Sequence, residues 1–142
     1  MKTFRTLMLI AIIMPVFFSC SAKNADTKEN SESDIAKEIN IYYFHFTRRC
    51  VTCTSVENKT LEILKEVYAN EMEDKTITFQ AINLDEGDSK EIAEKLGVSG
   101  QCLLFVKGNE KVDLTSDGFM YARSNPEKLK EKIKETITNL ML

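Results

Sequence analysis

From Asn40 to Phe46 the chain runs through Ile-Tyr-Tyr-Phe-His-Phe, β-branched and aromatic with little polar alternation. That pattern predicts a strand buried on both faces, the centre of a sheet. Residues 54 to 70 set Val56, Ile63 and Val67 beside Leu61, Leu64 and Tyr68 at helical spacing and leave Glu57, Lys59, Glu62, Lys65 and Glu66 for water, which predicts a long helix. Thr76 to Leu84 is strand-like again. Asp85 to Asp88, with Gly87, supplies a turn and a helix start, and Ile92, Ala93 and Leu96 form a short helix stopped by Gly97. Cys102 to Lys107 and Lys111 to Thr115 read as strands joined by the two-residue hairpin signal Gly108-Asn109. Asn125-Pro126-Glu127 gives an N-cap, an N1 proline and an acidic first turn, and Leu129, Ile133, Ile137 and Leu140 form the apolar face of a last helix. The predicted order is β-α-β-α-β-β-α. Two β-α-β crossovers followed by a hairpin and a covering helix imply an α/β domain with a four-stranded mixed sheet, helices on both faces and the first two strands parallel.

The first 33 residues follow a different pattern. Lys2 and Arg5 precede an apolar run from Leu7 to Phe18, broken by Pro15, with the small Ser19 before Cys20. This is the layout of an export signal, and at roughly 12 apolar residues it falls short of the ~20 that span a bilayer. Residues 21 to 33 hold no large apolar side chain and read as a flexible tether. The expected division is therefore a signal peptide over 1–19, a cysteine and tether over 20–33 and one folded domain over 34–142.

Composition narrows the function classes. The 142 residues carry a formal net charge of −3 with no run of clustered Lys and Arg, which argues against a nucleic-acid surface. Four cysteines in a chain this size are too few for a disulfide-dense scaffold, and a 43% hydrophobic content suffices for an ordinary core. The cysteines must be explained by where they sit. Export would place them in an oxidising compartment, where a pair is either a stable disulfide or part of a managed redox cycle.

Cys50-Val51-Thr52-Cys53 falls where the first buried strand passes into the first long helix, at a helix N-terminus with unpaired N–H groups and partial positive charge. Such a position favours a thiolate, and Arg48 and Arg49 add cationic charge beside Cys50. Cys50 is expected to be the more exposed, attacking sulfur and Cys53 the buried, resolving one. Zinc ribbons also use C-x-x-C, but usually with a second pair.

On these residues the chain resembles the thioredoxin family over roughly residues 38 to 142, without that family's extra first strand. Ile82-Asn83-Leu84-Asp85 looks like the family's second core strand, and Leu96-Gly97-Val98-Ser99-Gly100 like the loop entering its third. The resemblance implies a thioredoxin-like fold and thiol:disulfide exchange by Cys50 and Cys53, with no cofactor, a protein or small-molecule disulfide as substrate and a separate redox partner. It places Gly100, Gln101 and Cys102 in the substrate-facing loop, and Met120 and Tyr121, after Gly118, in another loop near the pair. Three positions depart from the family: Arg49 stands where it has Trp, Phe44 where it has a buried Asp, and Cys102 where it has a cis-proline. If Cys102 faces the pair, Cys50, Cys53 and Cys102 would form a three-thiolate site for a soft metal or metalloid ion. The alternative reading of Cys102 is a small buried residue starting a core strand. His45, the single histidine, is expected to be a packed or rim residue on the opposite face from Phe44.

Phe17-Phe18-Ser19-Cys20 resembles a bacterial lipobox, which implies lipidation of Cys20 and a membrane-anchored protein of the cell envelope, facing the periplasm. An ordinary secretory cleavage near Ala22 is the alternative. The domain is expected to be monomeric.

Overall fold

The computed structural model describes residues 37–142; the expected signal peptide, Cys20 and the tether lie outside the described residues. Four strands, β1 (Ile39–His45), β2 (Ile77–Asn83), β3 (Cys102–Lys107) and β4 (Glu110–Asp113), form one mixed sheet in the order β2-β1-β3-β4. β1 pairs parallel with β2 and antiparallel with β3, and β4 closes the edge as the hairpin partner of β3. The central position of β1 follows from its sequence: Ile39, Ile41, Tyr43 and Phe44 are all buried, which only a strand flanked and covered on both sides allows. Only the first of the two expected crossovers joins parallel strands. The link from β2 leads to a strand that lies on the other side of β1 and runs the opposite way.

Helix α1 (Val51–Val67) and the short α2 (Ala69–Glu73) connect β1 to β2, α3 (Ser89–Leu96) connects β2 to β3, and α4 (Thr115–Tyr121) and α5 (Pro126–Met141) follow the hairpin. α1 starts three residues before the first residue of the expected helix, directly after Cys50. Its opening turn carries no apolar face to announce it, and Val51 there is exposed. α2 and α4 were not predicted. Both glycine readings hold: Gly97 ends α3 in the left-handed region at φ 74°, and Gly108 opens the hairpin loop at φ 56°, backbone that a side chain would strain. The last strand, expected over Lys111 to Thr115, instead ends at Asp113, because Thr115 opens α4.

Because side chains alternate along a strand, the sheet presents two unlike faces. Ile39, Ile41 and Tyr43 of β1, Leu103 and Phe105 of β3 and Ile77 of β2 pack with Val56, Ile63 and Leu64 of α1 and with Leu129, Ile133, Ile137 and Leu140 of α5 in the larger cluster. Phe44, Ile82, Cys102, Leu104 and Val106 point the other way and pack with Leu84 and with Ala93 of α3 in the smaller one.

Candidate redox site

The loop from Phe46 to Arg49 carries the chain from β1 to α1 and is tied down at two points. The Thr47 N–H donates to Asp85 Oδ2 at 2.8 Å, and Arg49 forms an ion pair with Glu57 of α1. The Thr47 bonds hold the Asp85 carboxyl below its ordinary pKa. Cys50 then serves as N-cap of α1. Its Sγ accepts from the Cys53 N–H at 3.0 Å, while the Cys50 N–H donates to Cys53 Sγ at 3.2 Å. Two N–H groups that a helix start would leave without partners are thus directed at sulfur.

Cys50 and Cys53 are joined in a disulfide, with Cα atoms 5.0 Å apart. Cys50 is exposed and Cys53 is 4% exposed, so one sulfur of the bond meets solvent and the other faces the protein. A nucleophile from outside has access to the Cys50 side only.

Two further residues touch the pair. Gln101 Oε1 lies 3.9 Å from Cys53 Sγ, so the loop entering β3 approaches the cysteines as the resemblance implied. Beneath them the fully buried Tyr43 donates its hydroxyl to the Cys53 carbonyl at 2.8 Å. Burial pushes the Tyr43 phenol above its ordinary pKa, nearby Arg49 draws it back and Glu57 adds to the rise.

Several expectations are corrected by this geometry. The residue below the pair is Tyr43, and Phe44, which stands at the family's Asp position in the sequence, points into the opposite cluster with Cys102, its partner across the β1–β3 ladder. Cys102 therefore lies on the face away from Tyr43, with Gln101 rather than Cys102 turned toward Cys53. The structure brings Cys50 and Cys53 together and leaves Cys102 apart, and among the described residues no three His, Cys, Asp or Glu side chains gather as a metal site. Cys102, 8% exposed, is a free thiol among the described residues; burial raises its pKa, the Thr115 hydroxyl draws it back and Asp113 raises it further.

Arg49 is half-buried and its guanidinium, 5.7 Å from the Tyr43 ring centroid, is committed to Glu57, a residue expected to face water. Arg48 is exposed and makes no ion pair among the described residues. Met120 and Tyr121 belong to helix α4 and not to a loop. That helix does reach the site helix: a Cβ on Gly118 would come within 3.0 Å of Val56, three residues after Cys53. His45 ends β1 on Tyr43's face, 6.0 Å between ring centroids, with Nδ1 3.0 Å from the Phe46 carbonyl oxygen. Gly100, before Gln101, has open space around it. Tyr43 and Glu57 carried no signal in the sequence, since an aromatic in a core strand and a glutamate on a helix are ordinary in those places.

No protein-family model matches the chain, and no curated protein matches it. Among solved structures it is similar to thioredoxin O2 of Arabidopsis thaliana in the oxidised state, with 21% identity over 75% of this chain and 85% of that one and a TM-score of 0.48. It is also similar to a Fasciola hepatica thioredoxin, with 19% identity, 75% and 88% coverage and a TM-score of 0.47. The germline-specific thioredoxin Deadhead of Drosophila melanogaster matches at 16% identity, 75% and 88% coverage and a TM-score of 0.46. The strand order, one parallel and two antiparallel pairings, and a cysteine pair at the β1–α1 junction carry the assignment independently of these likenesses: the fold is thioredoxin-like.

Proposed function

We propose that the protein is a thiol:disulfide oxidoreductase. The observation that supports this reading is the asymmetry of the pair, an exposed Cys50 at the N-cap of α1 bonded to a buried Cys53. In the reduced protein the Cys53 N–H and the positive end of the helix favour the Cys50 thiolate. That thiolate attacks one sulfur of a substrate disulfide, the S–S bond breaks, and the leaving thiolate takes a proton from solvent. Cys53, after giving up its proton to solvent, attacks Cys50 Sγ in the mixed disulfide, closing the Cys50–Cys53 bond and expelling the second substrate thiolate. A separate dithiol partner returns the pair to the reduced state, and no cofactor takes part. Arg48 stays free to contribute charge near Cys50, while Gly100 and Gln101 line the approach of the substrate.

The proposal extends to place. Lys2 and Arg5, the apolar run and Cys20 support export, lipidation of Cys20 and anchoring of a monomeric domain at the bacterial cell envelope, facing the periplasm. Mass spectrometry of membrane-extracted protein is expected to find an acylated peptide beginning at Cys20; an unmodified N-terminus elsewhere contradicts the anchor.

Turnover of a model disulfide tests the chemistry. Cys50→Ser is expected to abolish reduction, and Cys53→Ser to accumulate a mixed disulfide on Cys50. Full activity in both variants contradicts the proposal.

A further inference from the structure

We propose that Arg49, Glu57 and Tyr43 form a clasp that positions the cysteine pair, with Arg49 acting through this clasp rather than through its charge on the Cys50 sulfur. The inference rests on the reading of the pair as an exchange centre. Arg49 is the residue before Cys50, and Glu57 lies one helical turn beyond Cys53. Their ion pair therefore spans the motif and fastens the incoming loop to the helix that carries the second cysteine.

Tyr43 forms the floor of this arrangement. Its ring lies under the Arg49 guanidinium, and its hydroxyl holds the Cys53 carbonyl, so the same side chain contacts both ends of the motif. The side chains of Arg49 and Glu57 are only 23% and 22% exposed, and Arg49 Nε is buried with no hydrogen-bond partner among the described residues. A guanidinium drawn this far out of water depends on its carboxylate, which makes the two residues an energetic unit. The second tether, from Thr47 to Asp85, leaves the loop little freedom except at Arg48.

An exchange centre benefits from such restraint because closing the disulfide depends on the effective concentration of one sulfur against the other. With the clasp intact, Cys53 is held where it meets Cys50. With it broken, the Phe46–Arg49 segment no longer braces the N-cap residue Cys50 against the first turns of α1, and the dithiol gains freedom that the disulfide lacks. The measurable equilibrium is disulfide plus two glutathione thiols giving the protein dithiol plus one glutathione disulfide.

The test uses the full chain equilibrated with glutathione, with the state of Cys50 and Cys53 read by alkylation and peptide mass spectrometry. The variants are Arg49→Met, Glu57→Gln, the double variant, the charge exchange Arg49→Glu with Glu57→Arg, and Tyr43→Phe, which keeps the ring. Each of Arg49→Met and Glu57→Gln is expected to shift the equilibrium toward the dithiol by about tenfold. The double variant should add little to either, and the charge exchange should recover most of the shift. Tyr43→Phe, the variant least demanding on folding, is expected to move it the same way by about threefold. The pH profile of Cys50 alkylation should keep its midpoint in Arg49→Met and Glu57→Gln. A midpoint raised by Arg49→Met and raised further by the charge exchange would mean that Arg49 acts by its charge on Cys50, and overturns the clasp. An exchanging pair indifferent to all the variants overturns the clasp alone; a wild-type pair that never exchanges with glutathione overturns the exchange reading and the clasp with it.

Discussion

The two faces of the sheet share the same strands and differ in what covers them. One face is closed by α1, α4 and α5, and its cluster includes Tyr43, Leu103 and Phe105; the other is closed by α3, and its cluster includes Phe44, Cys102 and Leu104. Each face holds cysteine chemistry of a different kind. On the first, the helix that packs on the core begins at Cys50, so a core contact and the helix end that holds the disulfide belong to one element. On the second, Cys102 starts a strand and ends as a buried thiol whose pKa is raised, mainly by burial. The two settings differ in which face the sulfur meets and whether a helix N-terminus points at it, the factors that set how reactive a thiol is.

Core truncations test how unequal the faces are. Phe105→Ala, in the larger cluster, is expected to cost about 3–5 kcal/mol, measured by denaturant unfolding. Phe44→Ala, equally buried in the smaller cluster, is expected at the lower end of the same ~3–5 kcal/mol range, because α3 alone covers it. A larger loss at Phe44 would reverse the ranking of the two faces.

The next effect in size belongs to the contact between α4 and α1. Gly118→Ala places a methyl 3.0 Å from Val56 Cγ1. Overpacking there is expected to cost about 1–3 kcal/mol, offset in part by the better helix propensity of alanine, and exchange by Cys50 should slow as α1 shifts. Unchanged stability and rate would mean that Val56 yields freely.

Cys102→Ala is expected to cost about 1 kcal/mol and leave disulfide exchange intact, since its thiol is packed on the far face. In the reduced native protein Cys102 should alkylate more slowly than the exposed Cys50. The thiol's raised pKa makes it a neutral core group whose stabilising contribution is fully present below the unfolded pKa of a thiol and lost as pH rises through its folded value.

The smallest effect concerns the tether at Thr47. The Asp85 carboxyl has a folded pKa below its unfolded one, so its contribution is present above the unfolded value and lost as pH falls through the folded value. Exchange protection of the Thr47 amide should therefore hold at pH 5 and above, as ~3.9 is the ordinary value of an aspartate, and fade in stronger acid. Asp85→Asn should reduce that protection and remove its pH dependence.

Much of this architecture was legible in the sequence, and what was missed has a physical pattern. The continuous apolar run at Ile41, the stripe of α1, Gly97, the Gly108-Asn109 loop and the Asn125-Pro126 cap each impose a local conformation strong enough to read alone. α2 and α4, at five and seven residues, are too short for an amphipathic stripe to emerge, and Gly118 in the middle of α4 reads as a loop. The site errors are of another sort. Tyr43 under the pair is the neighbour of Phe44, at the family's Asp position, and of the loop residues named together only Gln101, not its neighbour Cys102, turns toward Cys53; in a strand or at its entry one residue turns the side chain to the opposite face. Spacing located the cysteine pair because both members sit on one helix turn. It could not say which residues of the neighbouring strands look at them.

In the proposed arrangement Cys50 and Cys53 form one exchange pair on one face while Cys102 is packing on the other. Equilibrating the protein across a series of glutathione ratios and mapping every cysteine by mass spectrometry tests it most directly. A reversible Cys50–Cys53 disulfide is expected across the series, with Cys102 recovered as a free thiol at every ratio. Cys102 found in disulfide with Cys50 or Cys53, or a Cys50–Cys53 bond that no ratio opens, would contradict it.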